Sequence, residues 1–175
     1  MKTDLLPNWL AHEAEVITRM VQGAGPGVAK PEQVAGLNGL EMMQAMLHGS
    51  IPYASIAKTL DFYLMEVSKG RAVFQGKPGP AHLNPMGTIH GGWYATLLDS
   101  ALGCAVHTML EAGVGYGTVD LNVKMLKAVP VDTPLVAIGR VLHVSRTLGV
   151  SEGTLQTEDG TLLAHATATC FIRRP

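Results

Sequence analysis

The spacing of apolar and polar positions changes along this chain, and the changes mark out its elements. Residues 4–22 carry apolar positions at helical spacing (Leu6, Leu10, Ala14, Ile17, Val21), after which GAGPGVAKPEQ breaks the pattern with glycine and proline. A helix and a linker are expected there. A second short helix follows in GLEMMQAMLHGS, ended by Gly49 and Pro52. Beyond Leu60 the period falls to two, and FYLMEVSKGRAVFQG reads as two strands joined at Ser68, Lys69 and Gly70. Helical spacing returns from Gly91 to Leu110, a proline-free stretch of about 20 residues rich in Ala, Leu, Met and Val. Four β-rich runs complete the chain: GYGTVDLNVKMLKAVP, TPLVAIGRVLHVS, TLGVSEGTLQTEDG and TLLAHATATCFI. They are divided at Pro130, Pro134, the Arg146-Thr147 region and Asp159-Gly160, the last a hairpin turn. In the first run Val119, Leu121, Val123 and Met125 alternate with Asp120, Asn122 and Lys124, which predicts one buried face and one polar face. With few helices between strands, the sheet should be antiparallel and the class α+β.

Composition narrows the picture without changing it. A chain of 175 residues with 47 % hydrophobic and 15 % charged residues suits one globular unit with a real core. Residues 1–59 read as an N-terminal helical extension and linker, and residues 60–175 as the domain proper. The formal net charge is -1 and the basic residues are dispersed, so neither a nucleic acid nor an anionic membrane is an expected partner. MKTDLLPNWLAHEAEV lacks the apolar run of a secretory signal, and the longest apolar helix has Asp99 at its middle, so a soluble, cytoplasmic protein is expected. Cys104 and Cys170 are too few for a disulfide framework; Cys104, on the apolar helix, reads as a packed thiol, and neither is assigned a role.

Asp99 is the out-of-place charge. Thr96, Asp99, Ser100, Gly103 and His107 share one stripe of the long helix, while Leu97, Leu98, Ala101, Leu102, Ala105 and Val106 face a core. A carboxylate there carries a desolvation cost unless hydrogen-bonded, which argues for a purpose against the plainer reading of a paired structural Asp. His90, Gly91 and Gly92 begin the helix and offer backbone N–H groups at the positive end of its dipole, where an oxyanion could be held. Glycine there also lets a ligand approach the backbone. His90 could be a general base, a metal ligand or a hydrogen-bonded residue that fixes the loop, and the last is favoured. His82, His90, His107, His143 and His165 lack the paired spacings and thiolates of a metal site, so no metal is expected. GTIHGG lacks the serine of a nucleophile elbow, and no phosphate-binding glycine loop is present.

The stretch NPMGTIHGGWYATLLD, residues 84–99, resembles the signature of the hotdog-fold acyl-CoA thioesterases of the phenylacetate-degradation (PaaI-like) type. The order of strands and helix fits over residues 60–172, while the first 35 or so residues carry no matching motif. The resemblance implies an antiparallel sheet wrapped around one long helix, and a homodimer whose sheets join into one, often paired again as a dimer of dimers. It further implies that Asn84 contacts the thioester, that the Gly91 N–H binds its carbonyl oxygen, and that Asp99 acts as nucleophile or general base. Thr118 falls where related enzymes hold water with a serine or threonine. The substrate would be an acyl-CoA, with coenzyme A part of the substrate and no separate cofactor. Lys124, Lys127 and Arg146 are candidates for its phosphates. Gly92, Trp93, Tyr94 and Met86 flank the motif and could meet the acyl half.

Two other functions share this fold: hydration or dehydration of enoyl or hydroxyacyl thioesters, and non-catalytic acyl-CoA sensing. A hydratase needs a His and an acid acting together on the substrate, whereas here the His precedes two glycines and the carboxylate lies nine residues on. A sensor of the transcriptional kind needs a basic DNA-binding segment, and residues 1–60 hold four Lys or Arg against five Asp or Glu. Helix geometry adds one constraint. Gly91 and Asp99 are roughly 12 Å apart along the axis, so one helix cannot serve one carbonyl with both. Two antiparallel helices of a two-fold dimer could, with Thr96, Ser100 and Gly103 permitting close approach. The Met-rich residues 40–47, with Tyr53, are expected to cover the acyl end of the pocket, so that removing residues 1–50 should change acyl preference more than stability.

Overall fold

The computed structural model describes residues 9–174 of the chain, with side chains from residue 12. Leu6 lies outside the described residues, as does the side chain of Leu10. The segment before the sheet forms four helices: α1 (Trp9–Gln22), α2 (Pro31–Val34), α3 (Gly39–Leu47) and α4 (Ser55–Leu60). The Asn38 side chain accepts the Glu41 N–H at 3.0 Å while the Glu41 carboxylate accepts the Asn38 N–H at 2.8 Å, a reciprocal cap that starts α3. The single-turn helices α2 and α4 were not expected, because so few residues carry too little intrinsic helix stability to leave a pattern.

Six strands follow, interrupted by one helix: β1 (Phe62–Ser68), β2 (Arg71–Gly76), α5 (Gly91–His107), β3 (Gly115–Met125), β4 (Leu135–Val144), β5 (Leu148–Thr157) and β6 (Leu162–Arg173). They form one sheet in the order β1-β2-β4-β5-β6-β3, every neighbouring pair antiparallel. The hairpin at Ser68, Lys69 and Gly70 and the turn at Asp159-Gly160 lie where the local sequence placed them. α5 lies across one face of the sheet. Leu97, Leu98, Ala101, Leu102, Ala105 and Val106 are wholly buried there, the face that the helical spacing assigned to the core. The strands come close because small residues lie beneath the helix. Ala164, Ala166 and Ala168 of β6 are buried under it, and a Cβ at Gly139 of β4 would overlap the Ala101 carbonyl oxygen.

Two expectations about the elements need correction. The alternation in β3 predicted Val119 and Met125 inside, yet both are more than half exposed, at 64 % and 51 %. Among the described residues β3 is an edge strand paired only with β6, and a bulge between Thr118 and Asp120 turns Val119 out of register. The helix also ends three residues early, at His107, where Thr108 caps it and its hydroxyl accepts the Gly70 N–H at 2.8 Å.

The N-terminal segment is packed into the same core as α5. Val16, Met20, Met43, Tyr53 and Ala57 belong to one buried cluster with Leu97, Leu98 and Phe62. Gly39 N–H bonds the Leu110 carbonyl at 2.9 Å, and a Cβ at Gly39 would overlap the His107 carbonyl oxygen. Removing residues 1–50 would therefore open the core, which corrects the expectation that such a deletion acts more on acyl preference than on stability. Among the described residues, no helix is long and apolar enough to cross a membrane.

Candidate active site

The site is built from three segments: the loop before α5, the middle of α5, and β3. Asn84 organises the loop. Its Oδ1 accepts the N–H groups of Met86 at 3.0 Å and Thr88 at 3.2 Å, and its Nδ2 donates to Thr88 Oγ1 at 2.7 Å. Its backbone N–H bonds the Thr88 carbonyl at 2.8 Å, closing a turn in which Gly87 adopts φ 78°, a conformation natural to glycine. His90 then caps the helix, Nδ1 accepting the Gly92 N–H at 2.8 Å while its carbonyl accepts the Trp93 N–H at 2.9 Å. The ring fixes the loop and fills the role of a capping side chain. Gly91, the first residue of α5, keeps an N–H with no hydrogen bond among the described residues, at the positive end of the helix. The Met125 thioether lies over it: a Cβ on Gly91 would come within 2.9 Å of Met125 Cε.

Asp99 sits two turns further along the uninterrupted helix. Its Oδ1 is buried and finds no hydrogen-bond partner among the described residues. It faces a partly enclosed cavity of about 310 Å³, lined also by Ser100, Cys104, Tyr116 and Thr118, and walled by apolar side chains. No Lys, Arg, His or second carboxylate is among the described lining residues. The structure thus brings Thr118 to Asp99 across the sheet, although 19 positions separate them in sequence. An unpartnered carboxylate beside hydroxyls is equipped to take a proton or attack a carbon.

The other residues singled out in the sequence lie elsewhere. Trp93 is 3 % exposed, donates its indole N–H to the Leu60 carbonyl at 2.8 Å, and is not among the lining of the Asp99 cavity. Tyr94 accepts the Val129 N–H at 2.6 Å and holds the loop that follows β3. Gly92 is exposed beside His90. Lys124 and Arg146 are both exposed, but Lys124 lies near the Met125 end of β3, whereas Arg146 sits in the β4–β5 turn, at the end of the sheet where Gly117 pairs. Seven residues of strand, roughly 24 Å, separate those ends, so the two charges of one chain cannot hold one phosphate group.

Three contributors, Tyr116, Met20 and Cys104, had no signal in the sequence. Tyr116 packs over Gly103, where a Cβ would come within 3.0 Å of its ring, so the small residue that was read as a contact between two helices makes room for a tyrosine of its own chain. Met20 reaches the cavity from the N-terminal segment, beside Met46 and Tyr53, which were expected over the acyl end. Cys104 lines it too, and burial pushes its thiol up to about 12, against a lowering contribution from a hydrogen bond with Tyr116. Burial likewise raises Tyr116 well above its ordinary value, and raises Cys170, whose sulfur lies 3.9 Å from Thr118 Oγ1. With these shifts the thiols and the phenol are protonated at neutral pH, the unreactive form for a nucleophile. Iodoacetamide at pH 8 should accordingly leave Cys104 unmodified in the folded protein and alkylate it in guanidinium, as read by peptide mass spectrometry. Rapid modification without denaturant would show a reactive thiol.

Comparison with known proteins adds an independent view. A profile of the Thioesterase superfamily matches residues 86–164. A candidate esterase of Caenorhabditis elegans is 34 % identical over 106 residues, 61 % of this chain and 61 % of that protein. The chain therefore spans about three fifths of that relative's length. Human acyl-coenzyme A thioesterase 13 is 28 % identical over 102 residues, 58 % of this chain and 72 % of its own. Among solved structures, a phenylacetic acid degradation-related protein of Ralstonia eutropha JMP134 superposes with a TM-score of 0.68 at 30 % identity, covering 74 % of this chain and 98 % of that one.

Proposed function

Since this chain belongs to the thioesterase superfamily, we propose that it hydrolyses an acyl-coenzyme A thioester to a free acid and coenzyme A. The observation that carries the reading is the Asp99 carboxylate, with one oxygen buried and unpartnered at the side of an apolar cavity. A carboxylate held so, beside Thr118 and Ser100, is a base for water or a nucleophile toward a thioester carbon. The name of the human relative supports coenzyme A as the thiol half. The His90 cap supports hydrolysis over hydration, because Nδ1 is spent on the Gly92 N–H and is not free to take a proton.

The thioester carbonyl would point its oxygen at the Gly91 N–H, which would hold the charge developing in the transition state. Gly91 and Asp99 lie about 12 Å apart along one helix, so the site is assigned to two copies of the chain, related by a two-fold axis. β3 supports that assembly: it is 11 residues long, paired on one side only, and exposes Val119 and Met125 along its open edge. Asn84 and Gly91 of one copy would then stand opposite Asp99 and Thr118 of the other. The direct test is release of free thiol from a panel of acyl-CoAs, where steady turnover of at least one is expected. Failure on every acyl length, with the protein folded, would remove the proposal.

A further inference from the structure

The cavity beside Asp99 has two unlike ends. Asp99, Ser100, Cys104, Tyr116 and Thr118 gather its polar groups, and exposed Thr118 marks the mouth on the open edge of β3. The opposite wall is apolar and belongs in large part to the N-terminal segment: Met20 from α1, Met46 from α3, Tyr53 and Ala54 from the connection, and Ala57 from α4, closed below by Phe62, Leu64 and Phe74 of the sheet. Met20, Phe62 and Leu64 are at most 1 % exposed, while Met46 is half-buried and Ala54 exposed, so this end is closed over Met20 and the sheet and thinnest at Ala54.

This wall is a fixed part of the fold. The linker after α1 clamps the backbone of Tyr53, with Gly27 N–H on the Tyr53 carbonyl at 2.9 Å and Tyr53 N–H on the Gly25 carbonyl at 3.0 Å. Its ring meets Tyr63 edge-on at 5.6 Å. α1 and the loop after α3 cross at Gly23 and Gly49, where the Ala24 N–H bonds the Gly49 carbonyl at 2.9 Å and a Cβ on Gly23 would overlap that carbonyl oxygen. A wall tied down in this way sets an upper length for whatever enters.

We infer that the N-terminal segment is the acyl-specificity element of this protein, and that the chamber it walls takes a medium-length, apolar acyl group. The inference rests on the thioesterase reading for the direction in which the substrate enters, with its carbonyl at Asp99 and its tail toward Met20 and Met46. A dry cavity of about 150 Å³ accommodates benzene. The volume here, about 310 Å³, is roughly twice that, which suits acyl groups of roughly 6–12 carbon atoms and leaves no room for a 16-carbon chain. Methionine at two of the wall positions gives the chamber a soft surface that can follow linear or ring-bearing tails.

The test uses the full chain and two variants of opposite sense, Ala57→Phe to fill the chamber and Met46→Ala to enlarge it, each checked by thermal denaturation. Two readouts are taken: kcat/KM for acetyl-, octanoyl- and palmitoyl-CoA, and binding of octanamide, a neutral mimic of the acyl half, by calorimetry. In the parent, octanoyl-CoA should exceed both other substrates by about tenfold or more. Ala57→Phe should lower the octanoyl-to-acetyl ratio by about tenfold and weaken octanamide to a similar degree, while Met46→Ala should raise the palmitoyl-to-octanoyl ratio. Should Ala57→Phe fail to fold, the Met46→Ala ratio decides alone. If the folded variants keep the parent's ratios and octanamide affinity within twofold, the N-terminal segment does not select the acyl group. If no acyl-CoA is turned over yet octanamide binds and Ala57→Phe weakens it, the chamber stands and the hydrolytic reading fails.

Discussion

Asp99→Asn is expected to leave the fold intact and lower kcat on the best acyl-CoA by on the order of 10²-fold or more, because removal of an acid-base group costs about that much and removal of a nucleophile costs more. The substitution is nearly isosteric, and it replaces a carboxylate whose Oδ1 has no internal partner among the described residues, so no hydrogen bond of the chain is broken. Stability should be unchanged or slightly improved, since a charge leaves a partly buried position. That opposition between activity and stability separates a reactive carboxylate from a structural one: a structural Asp99 would lose stability and keep activity. Parallel kinetics and denaturation of the purified variant decide the matter, and hydrolysis within a few-fold of the parent would make Asp99 a bystander. Single-turnover hydrolysis in ¹⁸O water then distinguishes the two chemical routes, because label incorporated into Asp99 itself requires direct attack.

The second large effect is expected from Gly91→Pro. Proline is well suited to the first position of a helix and has no N–H, so the substitution deletes the proposed oxyanion donor with little backbone cost. His90 already holds the extended conformation, φ -63° and ψ 134°, that a residue before proline adopts. The added ring would press on Met125 Cε, the far end of a flexible side chain at the exposed edge of β3. Loss of one oxyanion donor typically costs about 10²–10³ in kcat, and that is the expected range. Unfolding Gly91→Pro and Asp99→Asn together and refolding them as a mixture then tests the shared site. Each hybrid dimer would hold one doubly damaged site and one intact site, so random re-pairing should restore about a quarter of parental activity. A mixture shown to contain hybrids that stays as inactive as its parts places the site within one chain.

Much of the fold was legible locally. The β1–β2 hairpin follows from Gly70, which takes φ 75°, and the β5–β6 turn follows from Gly160 at φ 82°. The six residues of α5 that its periodicity assigned to the core are all buried. What the pattern could not express is the identity of the neighbour. Gly103 was visible as a small position, but only the folded chain puts Tyr116 over it. Trp93 looked available to a ligand because it adjoins the glycines, yet the Leu60 carbonyl lies within reach of its indole once α4 packs against the helix start. Val119 carried the alternation of an inward residue, and a bulge at an edge strand turned it out.

By itself the sequence determined the α+β class, the capped start of α5, and the placing of a carboxylate two turns beyond a free backbone donor. These depend on contacts within a few residues, where spacing and side-chain chemistry act directly. Only the tertiary structure decided that β3 lies at the open edge beside β6, that Tyr116 lines the cavity of Asp99, and that Met20 of α1 joins Met46 and Tyr53 in closing it. Periodicity states that a face must be buried, but the partner that buries it comes from distant parts of the chain, and apolar side chains pack against any surface of fitting shape.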